Sequence, residues 1–257
     1  MAQTLTKNGT ATITEVKKPR IEPTSRWVRV QFNNQVIADS KETLLVRDGH
    51  RLAYYFPAEH VKIDWLHSAR TGNDGRQYYD VVVDDRSADS GAWSYQDSDG
   101  DLAALRGYIA FNWRKMDHWF EEEEEIFVHP RDPYHRVDAI QSSRKIRIVI
   151  DGVTVANCQR PVVLFETGLP TRYYLPQDDI RMDLLTTSRA KTDCPYKGTA
   201  SYWNVNVAGV DYRNIVWGYL EPLAEAQKIE GLLCFFNEKV DVFVDGELEE
   251  KPETLWA

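Results

Sequence analysis

The sequence lacks a long hydrophobic run and an excess of basic residues. No apolar stretch approaches the roughly 20 residues that cross a bilayer, and the first sixteen residues contain no apolar signal core. We therefore expect no membrane partner and a cytoplasmic location. The 31 lysines and arginines are outnumbered by 40 aspartates and glutamates, which gives a net charge of −9. Because nucleic-acid binding normally needs a basic face that displaces counterions, we also expect no nucleic-acid partner.

Closely spaced cysteines are lacking as well. Cys158, Cys194 and Cys234 are odd in number and far apart, which is typical of reduced intracellular thiols rather than of a disulfide framework. A structural zinc site needs about four nitrogen or sulfur ligands, and no two of these thiols lie within thirty residues of each other. Asp179 and Asp183 have the spacing of an exposed helix face rather than of an ion site. We expect no metal and no cofactor.

A large part of the sequence occurs twice. VRVQFNNQVIADS at 28–40 matches IRIVIDGVTVANC at 146–158 with an offset of 118. YYFPAEHVKIDWL at 54–66 matches YYLPQDDIRMDLL at 173–185 with an offset of 119, and from Tyr78 the offset is 124. Tyrosines, prolines, tryptophans and aspartates recur in the same order over about 100 residues, which indicates two copies of one domain.

The duplication predicts the domain organisation. We expect a flexible N-terminal arm at 1–25, a first repeat at 26–128, a linker at 129–143 and a second repeat at 144–257. The segment HPRDPYHRVDAIQSS is rich in prolines and polar residues, as linkers are. We expect the two repeats to pack on each other.

Each copy has the pattern of antiparallel β structure with short helices. VRVQF and IRIVI alternate in hydrophobicity, which places Val28, Val30 and Phe32 on one face of a strand. Asn33–Asn34 and Asp151–Gly152 then have the residue types of hairpin turns. PQDDIRMDLL at 176–185 and PLAEAQKI at 222–229 indicate short helices. The predicted fold class is therefore mainly β, in two tandem copies.

Four segments of the second copy resemble a known family. RYYLPQDDIRMDLL, TDCPYKGTASYW, VWGYLEPLAEAQKIEG and FFNEKVDVFVDGE occur in an order similar to that of the domain-of-unknown-function family 427, which some classifications label nucleotidyltransferase-like. The resemblance implies a fold like the β-tent of the cereblon drug-binding domain. Asp241 and Asp245 give the transferase label no support, because residues four apart on a strand are about 13 Å apart and cannot hold one Mg²⁺.

The segment CPYKG is present in the second copy and missing from the first. A catalytic thiol at Cys194 needs a nearby cation, and Lys197 is three residues away. The six histidines all precede residue 136, so a catalytic base in the second copy would be Asp179, Asp193 or Lys197. The catalytic candidates are thus Cys194, Lys197 and Asp179. The alternatives are an inert, buried cysteine and a solvated lysine.

Aromatic residues cluster in the same copy. Trp217 and Tyr219 are two apart on a predicted strand and therefore share a face. Aromatic walls with a few polar groups are typical of small-molecule sites. We expect a ligand pocket, in a binding protein or an enzyme, lined by Tyr173, Tyr174, Cys194, Tyr196, Lys197, Ser201, Trp203 and Trp217. The alternative is a non-catalytic interaction module with an acidic surface, of which Glu121–Glu125 would form a solvated edge.

Overall fold

Antiparallel strands make up most of the chain, which confirms the mainly β prediction. The computed structural model describes residues 3–5, 11–13, 18–49, 51–95 and 100–254. It divides into two units, Met1–Pro130 and Arg131–Ala257. The helices of the described residues include none that is both long enough and apolar enough to cross a membrane.

The first unit contains two main sheets. Its strands are β1 (Gln3–Leu5), β2 (Ala11–Ile13), β3 (Arg20–Pro23), β4 (Val28–Phe32), β5 (Gln35–Ser40), β6 (Leu44–Asp48), β7 (Arg51–Pro57), β8 (Leu66–Thr71), β9 (Gln77–Val83), β10 (Arg86–Ser94), β11 (Tyr108–Phe111), β12 (His118–Glu121) and β13 (Glu124–Glu125). One sheet has the order β3-β6-β7-β11-β10-β9-β8 and the other β13-β12-β4-β5, while β1 pairs with β2. Short 3-10 helices lie at Ala58–His60, Ile63–Trp65, Gly100–Leu105 and Trp113–Lys115.

The second unit repeats this topology. Its strands are β14 (Val137–Gln141), β15 (Ile146–Ile150), β16 (Val153–Cys158), β17 (Val162–Glu166), β18 (Arg172–Leu175), β19 (Leu185–Cys194), β20 (Gly198–Val207), β21 (Val210–Tyr219), β22 (Leu233–Phe235), β23 (Asp241–Val244) and β24 (Glu247–Leu248). The sheet orders are β14-β17-β18-β22-β21-β20-β19 and β16-β15-β23-β24. Short 3-10 helices lie at Gln177–Asp179, Met182–Leu184 and Ala224–Ile229.

Each unit has two hydrophobic cores, one on each face of its seven-stranded sheet. In the second unit, one core joins Ile146 and Ile148 of the four-stranded sheet to residues of the seven-stranded sheet. The other core lies on the opposite face and includes Ala226 and Ile229 of a 3-10 helix. The two clusters of the first unit follow the same plan. Because both faces are covered, strands of this sheet bury consecutive residues rather than every second one.

The predicted hairpin turns are confirmed. Asn33 and Asn34 have φ angles of 50° and 59°, and Asp151 and Gly152 have φ angles of 48° and 78°. These positive values are typical of a two-residue turn whose twist matches that of the flanking strands. The turns join β4 to β5 and β15 to β16 in antiparallel register.

Two segments that we predicted to lie outside the repeats are strands of their sheets. Arg20–Pro23, in the predicted arm, pairs with β6. Val137–Gln141, in the predicted linker, pairs with β17 and packs Val137 and Ala139 against the second core. An edge strand needs only one apolar face, so its composition resembles that of a linker. Of the predicted arm, residues 1, 2, 6–10 and 14–17 lie outside the described residues.

The predicted helix at 176–185 is two separate 3-10 turns. Between them, Ile180 forms a β-bridge with Ala156, and the backbone N–H of Arg181 donates to the carbonyl of Val155. These backbone contacts with β16 interrupt the helix, so Asp179 and Asp183 do not share one helix face. The predicted helix at 222–229 is confirmed as the 3-10 helix Ala224–Ile229.

Candidate functional site

The residues predicted to line one pocket are divided between the two cores of the second unit. Tyr173 and Trp203 belong to the core that joins the two sheets. Tyr174, Trp217 and Cys194 lie in or against the core on the opposite face. Neighbouring residues of a strand point to opposite faces, so Tyr173 and Tyr174 pack in different cores. The shared face predicted for Trp217 and Tyr219 is confirmed, but their function there is packing.

The CPYKG loop is anchored by a buried ion pair. The Nζ atom of Lys197 donates to Oε2 of Glu166, and less than a tenth of either side chain is exposed. The Nε2 atom of His135 lies 3.0 Å from Oε1 of the same carboxylate. The imidazole of His135 stacks on the ring of Tyr196 with centroids 4.2 Å apart and an interplanar angle of 18°. Lys197 is therefore engaged by the protein itself rather than pointing into open space.

Backbone contacts hold the same loop. The N–H of Asp132 donates to the hydroxyl of Tyr196 at 2.9 Å, and Nε of Arg131 donates to the carbonyl of Pro195 at 3.0 Å. The N–H of Leu223 donates to the carbonyl of Lys197 at 3.1 Å. Gly198 has a φ of 94°, and a Cβ there would meet a backbone carbonyl at 3.3 Å. The loop therefore needs glycine at this position.

His135 is a residue that sequence reasoning missed. The predicted linker placed it outside the second repeat, whereas it lies in the second unit and contacts Glu166 and Tyr196. The signal that could have found it is the alternation of Val137 and Ala139, which identifies the following residues as a strand.

The three catalytic candidates have different surroundings. Cys194 is half-buried against the second core, and Lys197 pairs with Glu166. Asp179 lies 3.5 Å from Nε of Arg160. Burial, assisted by a hydrogen bond to Asp179, raises the pKa of the Cys158 thiol to about 11. Asp179, the candidate acid–base residue, thus interacts with the thiol of Cys158, whereas the candidate nucleophile is Cys194.

Ser201 of the predicted site is engaged by the protein as well, and Cys234, which was not predicted to belong to the site, is inert. Ser201 is buried, and its hydroxyl accepts a hydrogen bond from Nζ of Lys191 at 2.5 Å. Burial raises the pKa of Cys234 to about 12, so this thiol stays protonated. Across the described ranges, no three or more His, Cys, Asp or Glu side chains come close enough together to hold a metal ion.

A cleft of about 670 Å³ lies in the first unit, where β7 begins and β11 ends. Sequence reasoning placed no site there. Aromatic side chains form much of its wall, namely Tyr54, Tyr55, Tyr78, Trp93, Phe111, Trp113 and Trp119. The indole N–H of Trp93 donates to the hydroxyl of Tyr55 at 3.0 Å, and burial raises the pKa of that hydroxyl far above its ordinary value. Tyr55 therefore remains a neutral phenol in the wall.

The cleft carries positive charge. Its charged lining consists of Arg51, Arg76, Arg114 and Asp48, together with the titratable His129. The guanidinium of Arg76 is fixed by Tyr95, whose hydroxyl accepts from Nε at 2.8 Å, and it lies 5.4 Å from the centroid of Trp93. Its charge is partly balanced by Asp74, whose carboxylate lies 3.5 Å away. Within the part of the chain that the structure describes, the guanidinium groups of Arg51 and Arg114 have no hydrogen-bond or ion-pair partner. They are available to a bound molecule.

Comparison with known proteins agrees with the duplication. Residues 20–122 and 138–246 each match the model of a domain of unknown function, DUF427. The matches begin at β3 and β14, the two edge strands that the sequence assigned to the arm and the linker. No curated protein matches the chain. Because the two matches cover most of the chain, it belongs to the DUF427 family and contains two tandem copies of the domain.

Proposed function

We propose that this protein binds a small molecule, and that the site is the cleft of the first unit. The observation that carries the proposal is a pair of guanidinium groups, on Arg51 and Arg114, that have no partner among the described residues and lie in a cavity with aromatic walls. Small-molecule sites commonly have volumes of roughly 300–1,000 Å³ and apolar walls with few polar groups. The volume of about 670 Å³ falls within that range.

The charge of the cleft favours an anionic ligand. Three arginines and one aspartate line it, whereas acidic residues outnumber basic residues in the whole chain. Guanidinium groups bind carboxylates and phosphates through two parallel hydrogen bonds. A cationic ligand could contact the aromatic rings, but the positive charges of Arg51 and Arg114 would repel it.

The walls of the cleft are preorganised. Trp113 and Trp119 stack with centroids 4.3 Å apart and an interplanar angle of 7°, and Trp93 is held edge to face against Tyr55 at 6.3 Å. Arg76 is fixed by Tyr95. A site whose side chains are already ordered loses little conformational entropy when the ligand binds.

The second unit offers less support for a ligand site. Lys197 is neutralised by Glu166, Tyr196 is stacked on His135, and the predicted pocket residues belong to two separate cores. A small-molecule function at Cys194 and Lys197 would require that ion pair to open. Such opening would leave a buried carboxylate without its cation, which is unfavourable.

The proposed function can be tested by thermal-shift screening of a library of metabolites, followed by equilibrium dialysis of each stabilising compound. Trp93→Leu removes a wall of the cleft, and Trp217→Leu is the matched change in the second unit. We expect compounds that stabilise and bind the wild type and Trp217→Leu but not Trp93→Leu. Equal binding by Trp93→Leu, or a library without any bound compound, would contradict the proposal.

We also propose the β-tent arrangement for each unit and a cytoplasmic location for the chain. The first is supported by the seven-stranded sheet that shares a core with a four-stranded sheet. The second is supported by three free thiols, two of them buried. Superposition on the cereblon drug-binding domain and fractionation of cells that express the tagged chain test these two points.

A further inference from the structure

The two units can be compared residue by residue around the cleft. The offset of 119 makes Arg172 the counterpart of Ala53, and strand pairing agrees, since Ala53 is opposite Val46 and Arg172 is opposite Leu164. The offset of 124 makes Phe236 the counterpart of Asn112 and Glu238 the counterpart of Arg114.

In the second unit these counterparts form a tightly packed group. Arg172 donates two hydrogen bonds to the carboxylate of Glu238, at 2.7 and 2.8 Å, and the exposed fractions of the two side chains are 8% and 0%. The ring of Phe236 lies 4.4 Å from that of Trp217, and the guanidinium of Arg172 lies 5.3 Å from the same indole. The ring of Phe236 and the guanidinium of Arg172, which Glu238 holds, thus cover Trp217.

In the first unit the same three positions leave space. Ala53 has no side chain that reaches Trp93, Asn112 has no ring, and Arg114 carries the charge opposite to that of Glu238. All of them line the cleft together with Trp93, which is half-buried. The cleft therefore corresponds to the volume that Arg172, Phe236 and Glu238 fill in the second unit.

We propose that the ligand of the first unit is a small planar ring that carries an acidic group, a carboxylate or a phosphate. This inference rests on the proposed function of the cleft. The ring lies over Trp93, as Phe236 lies over Trp217. The acidic group binds Arg114. This contact corresponds to the Arg172–Glu238 ion pair of the second unit, but the positive charge is now at the position of Glu238 and the ligand supplies the negative charge. Arg51 supplies a second cation.

Equilibrium dialysis with matched probes tests the ligand class. The probes are indole-3-acetate and its neutral relative 3-methylindole, AMP and adenosine, and ribose 5-phosphate, an acid without an aromatic ring. We expect at least one of the two ring acids to bind about tenfold or more tightly than its neutral relative, because a charge-assisted hydrogen bond would be lost. Ribose 5-phosphate should bind weakly. The two ring acids distinguish a carboxylate from a phosphate.

Variants of the cleft identify the subsite. Arg114→Gln should reduce binding of the ring acid about tenfold or more, and Arg114→Lys should retain part of it, whereas Arg189→Gln, at an exposed position of the second unit, should not change it. The triple change Ala53→Arg, Asn112→Phe and Arg114→Glu transplants the side chains of the second unit into the first. We expect this variant to fold, because the second unit already accommodates that group, and to bind neither ring acid.

The outcomes separate this inference from the proposed function. Neutral rings that bind as tightly as the acids, or ring acids that bind Arg114→Gln unchanged, overturn the ligand class while Trp93-dependent binding remains. Trp93-dependent binding of library compounds other than ring acids would likewise overturn the ligand class and leave the proposed function standing. If no compound binds in a Trp93-dependent manner, the proposed function itself fails.

Discussion

Trp217 donates its indole N–H to the hydroxyl of Tyr174 at 3.1 Å, and the two rings meet edge to face with centroids 6.3 Å apart and an interplanar angle of 83°. The first unit contains the same arrangement, in which Trp93 and Tyr55 are also 6.3 Å apart at 84°. Duplication has thus kept this pair while the residues around it diverged. The pair fixes the indole in both units, and the neighbouring residues decide whether its face is covered.

Replacement of Tyr174 by phenylalanine should destabilise the second unit. The change removes the acceptor of a buried N–H, and an unsatisfied buried donor costs about 1–3 kcal/mol. Tyr55→Phe should cost less, because Trp93 lines the cleft and water can reach its N–H. Urea unfolding, followed by hydrogen exchange of amides in β18 and β7, measures the two effects separately. A larger loss for Tyr55→Phe would show that the cleft is closed to water.

Local features of the fold were predictable because they depend on neighbouring residues. The alternation in 28–32 and 146–150 identified the core-facing side of β4 and β15, and the Asn33–Asn34 and Asp151–Gly152 pairs identified hairpins. The repeat offsets identified two copies, and the family matches agree. These inferences need only the geometry of a strand and of a two-residue turn.

The site was not predictable in this way because it depends on contacts between distant segments. Glu121, in an acidic run that we expected to be solvated, is buried and accepts hydrogen bonds from Tyr54 at 2.6 Å and Arg26 at 2.7 Å. The partner of Lys197 is thirty-one residues away, at Glu166. The CPYKG segment is visible in the sequence as an insertion, whereas the cleft arises where the first copy has smaller or oppositely charged residues.

The pair of Arg172 and Glu238 should make the second unit sensitive to acid. Burial acts to raise the pKa of Glu238, but hydrogen bonds from Arg172 and Thr254 outweigh it and hold the pKa below its ordinary value. A carboxyl group with a lowered folded-state pKa contributes stability above its unfolded value, about 4.3, and this stability is lost as the pH falls through the folded-state value. Unfolding free energy should therefore fall as the pH decreases below about 4.3.

Urea titrations of Glu238→Gln at several pH values test this dependence. At pH 7 the variant leaves a buried guanidinium without its carboxylate, and we expect a loss of about 3–5 kcal/mol. The difference from the wild type should shrink as the pH falls. The control is Asp178→Asn, whose carboxylate is 93% exposed and should change stability little at any pH. A difference that stays constant between pH 7 and pH 3 would exclude a lowered folded-state pKa for Glu238.

The ion pair of Lys197 and Glu166 decides whether the CPYKG loop is structural. Lys197→Met leaves Glu166 buried with only His135 beside it, and we expect a loss of about 3 kcal/mol or more. Adding Glu166→Leu should recover much of the loss, because the uncompensated buried charge is then absent. Lys228→Met, at an exposed position, should lie within about 0.5 kcal/mol of the wild type. A double-mutant cycle by urea unfolding provides the coupling energy.

The same variants measure binding, which separates the two roles of Lys197. If the lysine holds the loop, ring acids should bind Lys197→Met as they bind the wild type, because their proposed site lies in the first unit. If instead Lys197→Met unfolds like the wild type but loses binding, its ammonium group contacts the ligand, and the pocket belongs to the second unit. A structural lysine predicts lower stability with unchanged affinity, and a ligand-binding lysine predicts unchanged stability with lower affinity. The single variant Lys197→Met therefore distinguishes the two roles.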